Sequence, residues 1–324
     1  MMSCSVDTEV SKRLAHRRVS LYAHDAGGAS VLAALASRLE NVALTLHSSG
    51  PAGRVFGNSG LAECLHDCTC SPDVVLTATS WKSRHETNAW RMARARGIAT
   101  YVVLDHWSNY AQRFIRDGVQ VMPDELWVTD PWAYELALQE CPNVPLRLVP
   151  AHYREDFALS IRSARVARRS LQAPSEELRV LLLGETLQAV EHEKTYQIAQ
   201  VFPDELDMVR VTLEAIRLVP GDVRLRIRPH PTQGTGFYES AASNADEVHI
   251  EFSRRGATLV EDLAWADLCV GASTMAMVHA LDGGVPVVQA FPRSKIRSPL
   301  PMAFPVLEGL DQESLLGFRR RSGA

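Results

Sequence analysis

No window of the chain approaches the run of about 18 uncharged apolar residues that a membrane-spanning helix needs, so nothing in it is expected to span a bilayer. The first 18 residues are polar and hold no apolar core segment, which argues against a secretory signal. Cysteine is scarce: six in 324 residues, without regular spacing, do not make a disulfide framework. The cytoplasm is therefore the expected location. A dominant charge is missing too. A formal net charge of −4 gives no global basic field to hold a nucleic-acid backbone, which excludes that class of partner.

Basic residues do cluster locally, at Lys12-Arg13, His16-Arg17-Arg18, Arg165 to Arg169 and Arg319-Arg320-Arg321. Most such runs are solvated helix faces and ends. The other reading is attraction of an anionic substrate or membrane surface, which leaves peripheral association with the inner face of a membrane open. Cys64, His66, Cys68 and Cys70 cluster in CLHDCTC, and thiolates with imidazole suit zinc. No second C-x-x-C pair accompanies them, and Cys64 and Cys68 fall one helical turn apart on an apolar face. Buried free thiols at a helix end are the expectation, and no metal site is expected.

What the chain does hold is an ordinary soluble composition, 46% apolar and 22% charged, at a length that suits two domains of about 150 residues each. Short apolar strands are expected at 18–24, 42–46, 73–78, 99–105, 125–130 and 146–150, with helices after Gly27-Gly28 and at 59–68, 84–97 and 131–140. A polar, Arg-rich stretch at 153–176 breaks the rhythm and reads as a linker with one helix. A second series follows: strands at 178–185, 223–231, 248–252, 267–271 and 285–290, and helices at 204–218, 258–266 and 274–283. No internal sequence repeat is visible. Strands alternating with amphipathic helices imply parallel sheets covered on both faces. The fold class is α/β, two Rossmann-like domains (1–152 and 177–324) facing across a cleft. In such sheets ligands sit outside the carboxyl ends of the strands, so the informative residues are those just after strands.

His24-Asp25-Ala26-Gly27-Gly28 joins the first strand to the first helix. It is not a G-x-G-x-x-G dinucleotide fingerprint. Gly27 and Gly28 let the backbone approach a ligand or sugar, and Asp25 is a candidate general base; a tight turn capped by Asp25 is the plainer alternative. Thr77-Ala78-Thr79-Ser80-Trp81, with Glu86 close behind, offers hydroxyls that bond a sugar or cap the next helix. Leu104 to Tyr110 with Arg113 is the densest polar-aromatic cluster in the chain. Asp105 beside His106 offers an acid/base pair, Trp107 and Tyr110 offer stacking faces, Asn109 lies between them, and Arg113 suits a carboxylate or phosphate. Arg228-Pro229-His230-Pro231 ends a strand with two prolines that fix the loop and aim His230, with Arg228 a phosphate candidate. Gly271-Ala272-Ser273-Thr274 opens a helix, where the hydroxyls of Ser273 and Thr274 join free N–H groups suited to an anion.

In order and distance, R-P-H-P, D-L-x-V-G-A-S-T and A-L-x-G-G-V-P-V-V, between Arg228 and Ala290, resemble the donor half of GT-B glycosyltransferases. The His-Pro loop with a Ser-Thr pair resembles bacterial sialyltransferases and capsule Kdo-transferase-like enzymes, and also glycerophosphotransferases of wall-polymer synthesis. The resemblance implies that His230 faces the leaving nucleotide and that Ser273 and Thr274 meet its phosphate. Where many GT-B transferases carry a Glu that grips the ribose, this chain has His279, with Asp282 one turn later. The N-terminal half carries no family motif.

These readings converge on a metal-independent glycosyltransferase, with a nucleotide sugar as co-substrate and no other cofactor. A cytidine-linked acidic sugar is the preferred donor and a surface glycan or small molecule the acceptor. Either Asp25, or Asp105 with His106, takes the acceptor proton. Arg228, His230, Ser273 and Thr274 stabilise the departing phosphate. The alternatives are a sugar-nucleotide epimerase or hydrolase on the same fold, and a non-catalytic subunit of a glycan-assembly complex.

Overall fold

The computed structural model describes residues 3–61, 71–80, 83–171, 177–187, 204–242, 248–296 and 298–321; the CLHDCTC cluster and Trp81 lie outside them. The chain divides into two compact units, 1–156 and 157–324, and the boundary falls within the helix His152–Leu171.

The first unit is built on a six-stranded sheet whose order is β2-β1-β3-β4-β7-β8. Its strands are β1 (Arg18–Ala23), β2 (Ala43–Ser48), β3 (Val74–Thr77), β4 (Ala99–Val103), β7 (Glu125–Val128) and β8 (Leu146–Leu148), and every pairing is parallel. The central strands are short and fully buried, as a sheet covered on both faces requires. Chain order reverses between β1 and β3, which opens a crevice at their carboxyl ends. Between β4 and β7 lies a small hairpin, β5 (Ile115–Arg116) with β6 (Val119–Gln120). Its turn residues Asp117 and Gly118 both have positive φ, as in a type I′ turn.

The second unit holds a five-stranded parallel sheet in the order β11-β10-β9-β12-β13. Its members are β9 (Leu178–Leu183), β10 (Val223–Arg228), β11 (His249–Phe252), β12 (Leu268–Gly271) and β13 (Val287–Gln289). Here the reversal lies between β9 and β12. The helices Glu205–Ile216 and Leu259–Trp265 each begin with a complete capping box, Asp204 with Asp207 and Thr258 with Glu261.

Two helices were not foreseen, and one expectation is revised. The polar N-terminus contains a helix, Ser3–Leu14, because Val10 and Leu14, one turn apart, both bury in the first unit's core. A helix runs at Ala52–Asn58, directly after Pro51, and most of the helix expected at 59–68 lies outside the described residues. The Arg-rich stretch is helical from His152 to Leu171 and its guanidiniums are engaged. Arg162 donates to the Asp282 carbonyl (2.7 Å), Arg165 to that of Ala266 (2.6 Å) and Arg168 to that of Trp265. Those carbonyls close two helices, where cations are favoured by the backbone dipoles.

Candidate functional site

In the first unit the loops after β1, β3 and β4 meet at the reversal point. His24 and Asp25 follow β1 and lead into the helix Ala26–Ala36. Close approach is built into that helix: an added Cβ at Gly28 would lie 2.4 Å from the Ala78 Cβ, and one at Gly27 would lie 3.1 Å from Asp105 Oδ2. Glycine at both places lets the turn after β1 press against the strand ends beside it.

Two polar pairs lie close to this glycine backbone. Arg113 donates to Asp105 Oδ1 (2.9 Å), to the Thr79 hydroxyl (2.6 Å) and to the Ser108 carbonyl (3.0 Å). Immediately before the helix, His24 Nδ1 lies 2.7 Å from Asp25 Oδ1 and 3.5 Å from the Ser80 hydroxyl. The backbone N–H of His24 donates to Glu86 Oε1 at 2.7 Å. Glu86 is only 1% exposed, its Oε2 has no hydrogen-bond partner among the described residues, and burial raises its pKa above the usual carboxylate value.

The rest of the 104–113 cluster has other work. Trp107 is buried and its indole N–H donates to Asp130 (3.0 Å to each carboxylate oxygen). Asp130 in turn caps the helix Pro131–Glu140 through the Ala133 amide (2.8 Å), and Arg154 lies over the Trp107 ring at 5.5 Å. Tyr110 is fully buried. Neither ring therefore presents an open stacking face, which corrects that expectation. Asn109 takes the left-handed conformation (φ 55°) and starts the short helix Tyr110–Arg113, a backbone role. His106 pairs with the Ser108 hydroxyl at 3.3 Å, and burial lowers its pKa so that the ring is neutral near pH 7.

In the second unit the predicted residues gather at the carboxyl ends of β9, β10 and β12. His230 Nδ1 lies 2.8 Å from the Thr232 hydroxyl and accepts from the Thr232 amide at 3.3 Å. An amide only donates, so Nδ1 carries the lone pair and Nε2 the proton. Burial lowers the pKa of His230, which keeps it a neutral Nε2–H donor. Gly184, at the end of β9, has no room for a side chain: a Cβ there would lie 2.5 Å from the Tyr238 hydroxyl and 2.8 Å from the His230 amide.

Two assignments change. Arg228 donates to Asp262, Ser253 (3.3 Å) and the Ala257 carbonyl (3.1 Å). Asp262 is 1% exposed and also takes Arg226, so Arg228 belongs to a structural ion network. Ser273 gives both its amide and its hydroxyl to Glu185, and the Ala272 amide donates there as well. The turn offered to a phosphate is therefore filled by a carboxylate of the chain itself. Gly271 stands against the same group, its added Cβ lying 3.4 Å from Glu185 Oε1 and 2.9 Å from Met277. Thr274 accepts from the Ala276 amide at 3.3 Å, capping the helix Met275–Asp282. His279 is buried and stacks on Phe157, with centroids 4.4 Å apart.

His24, Glu86 and Glu185 were not singled out by the sequence as site residues. The signal available for His24 and Glu185 was position, since His24 directly follows β1 and Glu185 lies two residues past β9; for Glu86 there was only its closeness to the T-A-T-S segment. Among the described residues no group of three or more His, Cys, Asp or Glu is placed to hold a metal ion, and no helix is long and apolar enough to cross a membrane.

No known protein-family profile matches the chain, and no curated protein sequence matches it. Solved structures do. A putative UDP-N-acetylglucosamine 2-epimerase from Listeria monocytogenes superposes with a TM-score of 0.60 at 14% identity, over 94% of this chain and 87% of that one. UDP-GlcNAc 2-epimerase from Methanocaldococcus jannaschii does so with a TM-score of 0.58 at 12% identity, over 94% and 92%. The Neisseria meningitidis enzyme bound to UDP-GlcNAc gives 0.57 at 10% identity, over 93% and 90%. At these identities the likeness is one of fold: two Rossmann-like domains of the GT-B class.

Proposed function

We propose that the chain is a glycosyltransferase that moves a sugar from a nucleotide-activated donor to a hydroxyl acceptor. The observation that carries this reading is that Asp105, ion-paired with Arg113, comes up against the Gly27 backbone, which His24–Asp25 immediately precedes. A sugar hydroxyl bound there meets proton acceptors and a cation at backbone that carries no side chains, which is what acyl-free group transfer to a hydroxyl requires. The second unit takes the nucleotide, with the Nε2–H of His230 and the Thr274 hydroxyl as its donors. Neutral donors of this kind supply leaving-group stabilisation without a metal. The motif resemblance favours a cytidine-linked acidic sugar as donor, and a surface glycan acceptor would bring the enzyme to the inner face of a membrane.

A second reading has its own support. The similar solved structures are UDP-GlcNAc 2-epimerases, one with UDP-GlcNAc bound, which favours a UDP-sugar epimerase or hydrolase on this fold.

Calorimetric titration of CMP, CDP, UDP and GDP into the full chain and into His230→Ala tests both. Cytidine binding that the variant loses supports the transferase reading. Preference for UDP, with release of free sugar or an epimer when no acceptor is present, selects the second. Absence of binding by all four nucleotides sinks both and leaves a non-catalytic subunit.

A further inference from the structure

In the second sheet β10 and β11 end side by side: Ile227 pairs with Phe252, and the Ser253 amide donates to the Ile227 carbonyl at 2.8 Å. His230 lies in the loop after β10, and Ser253-Arg254-Arg255-Gly256 forms the turn after β11. The Ala257 amide closes that turn on the Arg254 carbonyl (2.9 Å), and Gly256 supplies the positive φ (+85°) that the third residue of a type II turn needs. Arg228 ties the turn to the end of β10. It donates to the Ser253 hydroxyl (3.3 Å), to the Ala257 carbonyl (3.1 Å) and to the buried Asp262. Neighbouring strands run about 4.8 Å apart, so the anchored turn and the His230 loop share one rim of the sheet.

The cations at this rim are of two kinds. Those on β10 are neutralised by the chain: Arg224 pairs with Glu177 (2.9 Å), Arg226 with Glu251 (2.7 Å) and Arg228 with Asp262. Arg254 and Arg255 are exposed, and neither guanidinium has a hydrogen bond or ion pair among the described residues. Glu261, which feels the field of Arg254, gives its Oε2 to the amide (2.6 Å) and hydroxyl (2.9 Å) of Thr258. Two adjacent like charges repel, and the fold leaves that repulsion for an anion to relieve. The other anion-suited place in the sheet, the turn after β12, is filled by Glu185. We propose that Arg254 and Arg255 hold the phosphate of the nucleotide, beside the neutral Nε2–H of His230, so that phosphate binds at the β10–β11 rim and not at the turn after β12. Planar, forked guanidinium donors match phosphate oxygens. Arg228 and Asp262 are positioning residues that hold the turn in place. The inference rests on the reading that the second unit takes a nucleotide, which the transferase and epimerase readings share.

Calorimetry on the full chain tests it, with CMP, CDP, UDP and GDP as probes. Arg254→Gln and Arg255→Gln are each expected to weaken the nucleotide that binds best by about tenfold, and the double variant by about 100-fold, as loss of one and two charge-assisted contacts predicts. The affinity of the wild type is expected to fall as sodium chloride rises from about 50 to about 300 mM, and that of the double variant to change much less, because the screened charges are gone. Both side chains are exposed and unpaired, so urea midpoints are expected to stay at the wild-type value and to separate lost binding from lost folding. The double variant with lysine at both positions keeps the charge without the fork and is expected to bind between the wild type and the glutamine pair. A double glutamine variant that binds within twofold of the wild type overturns the assignment alone. So does a larger loss in Ser273→Ala than in the arginine pair, which returns the phosphate to the turn after β12. A wild type that binds none of the four nucleotides overturns the nucleotide reading and the assignment with it.

Discussion

Glu185 accepts hydrogen bonds from both the amide (2.8 Å) and the hydroxyl (2.9 Å) of Ser273. The contact ties the end of β9 to the turn after β12, across the reversal of the second sheet. Glu185 is buried, and burial raises its pKa above the usual value even though the surrounding donors pull it down. A carboxylate offers enough lone pairs for every donor aimed at it. An amide side chain turns one of those acceptors into a donor facing donors.

Glu185→Gln is therefore expected to destabilise the protein by about 1–3 kcal/mol, and Ser273→Ala, which leaves the amide donors in place, by about 1 kcal/mol. Urea unfolding ranks the two. Because the Ser273 hydroxyl is engaged by Glu185, Ser273→Ala is expected to change nucleotide affinity less than about twofold, well below the tenfold that separates meaningful binding losses. A larger loss in calorimetry returns Ser273 to the phosphate.

Asp262 is held by Arg226 (3.2 Å), Arg228 and the Ser253 hydroxyl, and is almost fully buried. Asp262→Ala leaves two guanidiniums without their shared anion, and is expected to cost about 3 kcal/mol, the lower part of the range for breaking a buried pair. The lower part applies because Arg226 keeps Glu251 and Arg228 keeps the Ala257 carbonyl. Thermal unfolding checks it.

The two glycines before the first unit's core predict opposite outcomes. Gly28→Ala forces a Cβ into the Ala78 Cβ at 2.4 Å, where both atoms are fixed to backbone, and is expected to cost about 1–3 kcal/mol. Gly27→Ala meets the end of the Asp105 side chain at 3.1 Å, which can give way. Its stability is expected to change by less than about 0.5 kcal/mol while donor turnover falls. Equal destabilisation by both substitutions contradicts the packing described.

Burial raises the pKa of Glu86 above its unfolded value, so the folded protein holds this proton more tightly than the unfolded chain does. Its contribution to stability is full at low pH and is lost as pH rises from about 4.3 through the folded value. Glu86→Gln keeps an acceptor for the His24 amide and removes the titration. The variant is expected to gain stability relative to wild type as pH is raised from about 5 to about 7.5 in paired urea titrations. A difference that stays constant over that range means Glu86 is ionised in the folded protein as in the unfolded chain, and contradicts the raised pKa.

The alternation of short apolar runs with amphipathic helices was enough to specify two parallel α/β units, because a strand buried on both faces must be apolar along its length. Position after a strand was enough to single out Asp25, Gly27, Asp105, Arg113, His230 and Ser273 as candidates. Sequence flagged Gly27 and Gly28 as places of close approach, and the structure puts strand-end atoms rather than a ligand there. What it left undecided was partnership. Whether Arg228 meets a phosphate or Asp262, whether Ser273 meets a ligand or Glu185, and whether Trp107 offers a face or a buried N–H depends on residues 34, 88 and 23 positions away in the chain. Local composition fixes which groups can bond. Only the order of strands in each sheet decides which of them arrive at the same strand ends, and so which are satisfied internally.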